Sequence, residues 1–112
     1  MKVSDLVREL GLTVFCGEAG LAVEISGGYT SDLLSDVMGH MEEGMLWITM
    51  QTHQNILAVA TLKDAAAVLI VNGAVPDEET LAKGKEEDVP LLGTTLSAFE
   101  ANGRIYQLLH KA

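Results

Sequence analysis

Two apolar runs, residues 45–50 (MLWITM) and 65–71 (AAAVLIV), constrain this chain more than any other feature in it. Each is too short for a self-standing buried helix. Neither shows the alternation of a strand with one wet face, so both read as strands covered on both sides. Between them lie a polar stretch, Gln51, Thr52, His53, Gln54 and Asn55, and a helical segment over 56–62. Two doubly covered strands joined by a helix make a right-handed βαβ crossover in a parallel sheet. The pattern then repeats. Asn72 and Gly73 form a turn, Pro76-Asp-Glu-Glu79 starts a helix that Gly84 weakens, and residues 89–92 form a short strand. Thr94 and Thr95 cap a last helix bearing Leu96, Phe99, Ile105, Leu108 and Leu109, which Asn102 and Gly103 break or bend.

The first 44 residues carry weaker signals. Val3, Leu6, Val7 and Leu10 recur at helical spacing up to Gly11, and residues 12–16 read as a strand. Leu21, Val23 and Ile25 alternate with Ala22, Glu24 and Ser26, which predicts a strand ended by Gly27 and Gly28. Thr30 or Ser31 caps a helix whose stripe is Leu33, Leu34, Val37, Met38 and Met41. With 112 residues the expectation is one domain over 1–112. Its class is α/β: a single three-layer domain with a mostly parallel sheet of about five strands flanked by helices.

Charge and composition exclude several functions. Sixteen acids against seven bases give a net charge of −9, which repels nucleic-acid backbones and anionic lipids. Aromatic residues are 4%, too few to build stacking platforms for bases. No apolar run reaches the length of a bilayer span, and residues 1–10 lack the apolar segment of a signal peptide. The lone Cys16 cannot pair within the chain and fits a reducing compartment, so a cytoplasmic protein is expected. Cys16 reads as a small buried hydrophobe, since a nucleophile needs an activating base. His40, His53 and His110 are too dispersed for zinc-ligand spacing, so neither metal nor cofactor is expected. Met38, Met41, Met45 and Met50 around Trp47 read as core or interface packing. The acids at 77–79 and 86–88 read as a solvated face.

Three turns concentrate polar groups. In an open α/β sheet, ligands bind beyond the carboxyl ends of the strands, where helix N-termini present free amides. Gln51, Thr52, His53 and Asn55 lie after one parallel strand, Asn72 and Gly73 after the next, and Thr94 and Thr95 after the third. These eight are the candidate ligand-binding residues, on one edge of the sheet. The competing reading is local: Thr52 or His53 caps a helix, and Asn-Gly and Gly-Thr-Thr form ordinary turns. Ser31, Asp32 and Asp36 form a secondary candidate surface, because positions four apart share a helix face. Capping and a solvated face compete there as well.

Four stretches carry a resemblance. Gly73-Ala-Val-Pro-Asp77, residues 88–100 (DVPLLGTTLSAFE), residues 28–38 (GYTSDLLSDVM) and residues 47–60 (WITMQTHQNILAVA) together resemble the DRTGG-type domain. That domain is similar to the N-terminal half of HPr kinase/phosphorylase and occurs in some phosphate acetyltransferases and CBS-containing proteins. The middle stretch resembles stand-alone bacterial members, found near clostridial hydrogenase and redox genes. The chain departs from the family twice. Ser26-Gly27-Gly28 is the nearest approach to a literal Asp-Arg-Thr-Gly-Gly, and Gly84-Lys85 is followed by Glu86 and Glu87 rather than by a phosphate loop. The resemblance therefore implies a regulatory or assembly domain without its kinase partner, self-associating as a homodimer. The function expected is non-catalytic: sensing a small molecule (a nucleotide or phosphorylated metabolite) in the three turns, in service of a redox or hydrogenase-linked system. Two alternatives stand beside it, a small enzyme using His53 as general base and an adaptor that binds only a protein partner.

Overall fold

The computed structural model of the protein describes residues 1–111. The elements run α1 (Val3–Leu10), β1 (Thr13–Cys16), β2 (Gly27–Thr30), α2 (Leu34–His40), β3 (Met45–Thr49), α3 (Asn55–Leu62), β4 (Ala67–Ile70), α4 (Glu78–Glu87), β5 (Leu91–Gly93) and α5 (Ala98–Leu109). The strands form one sheet in the order β1-β5-β4-β3-β2. Strands β2 to β5 run parallel, and β1 joins the β5 edge antiparallel. This is the α/β, mostly parallel, five-stranded arrangement that the two apolar runs predict.

The reason those runs are almost wholly apolar, with Thr49 the one polar residue, is visible in the packing. Along β3, Leu46 and Ile48 face one core while Trp47 faces the other. Along β4, Ala67 and Leu69 pair with the first core, and Val68 and Ile70 with the second. The first core is closed by Val3 and Leu6 of α1 and by Ala101 and Ile105 of α5. The second is closed by Val37 of α2 and by Ile56, Leu57, Val59 and Ala60 of α3, with Met41 just beyond α2. Three layers result, α1 and α5 on one side of the sheet and α2, α3 and α4 on the other. The Trp47 indole, buried in the second core, keeps its N–H satisfied by donating to the Ser31 carbonyl at 2.9 Å.

Gly84, expected to weaken α4, instead allows its contact. A Cβ there would lie 2.6 Å from Cys16 Sγ and 3.0 Å from Leu91 Cδ1, so only a bare backbone lets the helix settle onto β1 and β5. Cys16 is buried as expected, and that burial pushes its thiol pKa up.

Several local expectations are corrected. No strand forms over 21–26. Its backbone is taken by α1: the Val3 and Ser4 amides donate to Val23 and Leu21, and the Ile25 amide donates to Met1. Only an isolated bridge, Lys2 to Glu24, remains. The edge strand is the following segment, where Gly27 and Gly28 pair with Met45 and Leu46. Helix α2 starts at Leu34, not at Thr30 or Ser31, because the Ser31 hydroxyl accepts the Leu33 amide in a tight local turn. Ser97, not Thr94 or Thr95, caps α5 by accepting the Glu100 amide, while the Thr94 hydroxyl accepts the Leu96 amide. Asn102 and Gly103 do not interrupt α5. Met38 and Met50 are exposed, so only part of the methionine group packs with Trp47.

Candidate functional site

Because β2 to β5 are parallel, the turns that follow them share one edge of the sheet, and the structure stitches them together in sequence. At the first seam, the Asp32 carboxylate accepts the Thr49 hydroxyl and the Met50 amide, each at 2.7 Å. The Gln51 side-chain amide returns to the Asp32 carbonyl at 3.0 Å. At the second seam, the Thr52 carbonyl accepts the Asp77 amide at 3.2 Å and the buried Thr80 hydroxyl at 2.7 Å. At the third, Asn72 and Gly73, with φ of 64° and 72°, make a turn that aims both amides at the next loop. The Asn72 amide donates to Leu96 at 2.8 Å and the Gly73 amide to Thr94 at 2.9 Å.

The third seam has a further property. After β4 the chain turns to the layer of α4, and after β5 it turns to the opposite layer of α5. Neighbouring parallel strands whose helices leave to opposite sides define a topological switch point, the place where open α/β sheets accept ligands. A shallow depression of about 210 Å³ lies there, lined by Thr13, Phe15, Gly73, Val75, Thr94 and Thr95, with Ala74 and Gly93 between them. The Phe15 ring covers Gly93, where a Cβ would come within 2.5 Å of it. Hydroxyls from Thr13, Thr94 and Thr95 and one aromatic ring are the chemistry on offer: hydrogen bonds and a stacking face, with no charged side chain in the lining.

Of the eight candidates, then, Gly73, Thr94 and Thr95 meet around one depression, and Asn72 joins them through the backbone. Gln51, Thr52, His53 and Asn55 lie on the same edge but outside that lining. Thr52 and Gln51 act as staples between turns. His53 is exposed, and its Nδ1 accepts the Asn55 amide at 3.2 Å, but the residue at the cap of α3 is Gln54, so neither Thr52 nor His53 takes the expected cap position. Thr13 and Phe15 belong to the antiparallel β1, whose position beside β5 no local pattern announces; sequence reasoning missed both.

The secondary surface does not assemble as expected. Asp32 precedes α2, so it shares no helix face with Asp36, and its carboxylate is held by Thr49 and Met50. Asp36 is engaged elsewhere: the Tyr29 hydroxyl donates to it at 2.8 Å and His40 Nδ1 lies 3.1 Å away. Hydrogen bonds from the Tyr29 and then the Ser31 hydroxyl hold Asp36 below the usual carboxylate range, and the same contact pushes the Tyr29 hydroxyl pKa up. Among the described residues no three His, Cys, Asp or Glu side chains gather to hold a metal, and no helix is long and apolar enough to cross a membrane.

The domain is a three-layer α/β fold in which the turns after β4 and β5 part to opposite layers at one edge of the sheet. The model of the DRTGG domain matches residues 5–108, and the chain belongs to that family. Among solved structures it is similar to the CBS and DRTGG domains of the regulatory region of Clostridium perfringens pyrophosphatase, complexed with its activator diadenosine tetraphosphate. The TM-score is 0.74 at 14% identity, over 95% of this chain and 46% of that one, so this chain spans less than half of that regulatory region. No protein of curated function matches it.

Proposed function

We propose that this DRTGG domain is a non-catalytic regulatory module that senses a small molecule, a nucleotide or phosphorylated metabolite, at the switch point between β4 and β5. The observation that carries the reading is the depression itself, formed where the stitched turns of 72–77 and 94–97 part to opposite layers. The family membership supports a regulatory role, and the nucleotide activator held by the structurally similar pyrophosphatase region supports the ligand class. The chemistry narrows the pose. Phe15 offers a face to a base, and the three threonines offer hydrogen bonds. Asp77, Glu78 and Glu79 follow the depression in the chain, so phosphates bind with a divalent cation or project into solvent.

Self-association, a cytoplasmic setting and service to a redox or hydrogenase-linked system belong to the same proposal, supported by the resemblance and by the buried lone thiol of Cys16. So does the likeness to the N-terminal half of HPr kinase/phosphorylase, read as a control module working without a kinase. Exposed Val75 and Met50 on the same edge favour a protein partner there as the second reading.

Thermal unfolding with a panel of mono- and dinucleotides, with and without magnesium, tests the ligand. A binder at 100 times its dissociation constant adds about 2.7 kcal/mol to stability, and Thr94→Val with Thr95→Ala removes that gain. A panel in which no compound raises the melting temperature, alongside retention of one protein in pull-down, points to the adaptor instead.

A further inference from the structure

One stripe of the exposed face of α5 carries two aromatic rings, beside a polar stripe of Glu100, Arg104 and Gln107. Phe99 is 88% exposed and Tyr106 is 66% exposed, seven residues apart and so on one side of the helix. Gly103 lies between them with open space over its Cα, and His110 stacks on Tyr106 at 4.1 Å between ring centroids. Alongside runs a groove of about 190 Å³ between α5 and the free edge strand β2, floored by Gly28, Ile48, Ile105 and Leu109 and walled by Tyr106. It has room for one aromatic side chain.

From these we infer that α5 is the face through which two copies of this chain associate, the Phe99 ring of each filling the β2–α5 groove of the other. The inference rests on the self-association half of the proposed function and is independent of the ligand half. Three observations select a second copy as the occupant.

First, the surface is self-complementary. Phe99 and Tyr106 are about 10 Å apart along the helix, at 1.5 Å per residue. A two-fold axis through the Asn102–Gly103 region with antiparallel helices sets Phe99 of one copy over Tyr106 and the groove of the other, and the reverse contact follows by symmetry. Second, Gly103 falls at the crossing, where the missing side chain lets the helices approach closely. Third, the charge fits. The chain carries −9, yet residues 98–111 hold two bases, Arg104 and Lys111, against one acid, Glu100. The clusters at 77–79 and 86–88 belong to α4 and its flanks in the opposite layer, so contact through α5 keeps the most repulsive parts of the two copies apart.

Sedimentation of the full chain from low micromolar to several hundred micromolar tests this. The wild type is expected to pass from monomer to dimer. Phe99→Asp and Gly103→Arg each raise the dissociation constant by at least about thirtyfold, the effect of losing a central aromatic anchor or of blocking a helix crossing. Both positions are exposed, so the monomer keeps its fold by circular dichroism; the melting temperature holds in Phe99→Asp and is the same or higher in Gly103→Arg, which replaces a helix-interior glycine. Leu62→Asp, at a 71% exposed position of α3 in the opposite layer, leaves association as it is. A wild type that stays monomeric throughout overturns the inference, as does a dimer that Leu62→Asp weakens while Phe99→Asp and Gly103→Arg do not. Nucleotide thermal shifts on monomeric Phe99→Asp decide the ligand reading separately.

Discussion

At the scale of single residues, the seating of α4 on β1 and β5 depends on one missing side chain, that of Gly84. Gly84 looks like a fault in α4 because glycine costs a helix interior about 1 kcal/mol relative to alanine. The structure shows why no alanine stands there: its methyl group would press on Cys16 Sγ and Leu91. Gly84→Ala is therefore expected to destabilise the domain by about 1–3 kcal/mol despite the better helix propensity, as overpacking does. Urea denaturation measures it. Because the nearest obstruction is a sulfur atom, the same change made in a Cys16→Ala background costs less, and equal losses in both backgrounds rule out this contact as the cause. Thr80 makes the same point from the polar side. As a lone threonine in an acidic helix it carries no signal, yet its buried hydroxyl ties α4 to the turn after β3.

At the scale of elements, what was legible followed from burial. Strands β3 and β4 are covered on both faces, so their composition alone declares them, and the helix between them follows from the connection. Strand β2 is different: two of its four residues are glycine, it sits at an edge, and it is held by backbone pairing to β3. The alternation just before it belongs instead to a segment that packs on α1, since period two marks a half-buried chain whether or not it joins a sheet. Tyr29 of β2 meets α2 by stacking on His40 and by donating its hydroxyl to Asp36, and the second contact gives a pH signature. Asp36 has a lowered pKa in the folded state, so its contribution to stability is fully present above the ordinary unfolded value of about 3.9 and is lost as pH falls through the lower folded value. Tyr29→Phe removes the largest cause of that lowering. Chemical denaturation from about pH 6 down to pH 2 is expected to show a smaller acid-dependent loss in Tyr29→Phe than in the wild type. Parallel curves would assign the acid sensitivity to other carboxylates, with Asp5, also lowered by the Lys2 amide, the first to examine.

At the scale of the whole molecule, the shared edge was legible because parallel strands put their following turns on one side, whatever the details of each turn. What could not be read was which turns surround a hollow, since that depends on the antiparallel arrival of β1 with Thr13 and Phe15, and on α5 leaving to the other layer. That departure has a mechanical consequence. The segment that walls the hollow with Thr94 and Thr95 is the same strap that ends in the Ser97 cap and sets the first turn of α5, where Phe99 stands. Its carbonyls at 94 and 96 are pinned by the Gly73 and Asn72 amides, so under the proposed function a ligand held by Thr94 pulls on the segment that sets the first turn of α5 and Phe99. Thermodynamic reciprocity then requires that whatever factor a bound nucleotide applies to pairing, pairing applies to nucleotide affinity. If both halves of the proposal hold, the sedimentation series with and without a saturating stabiliser, and titrations of that stabiliser on the wild-type dimer and on monomeric Phe99→Asp, return one common factor, and a short strap of backbone makes occupancy and copy number report on each other.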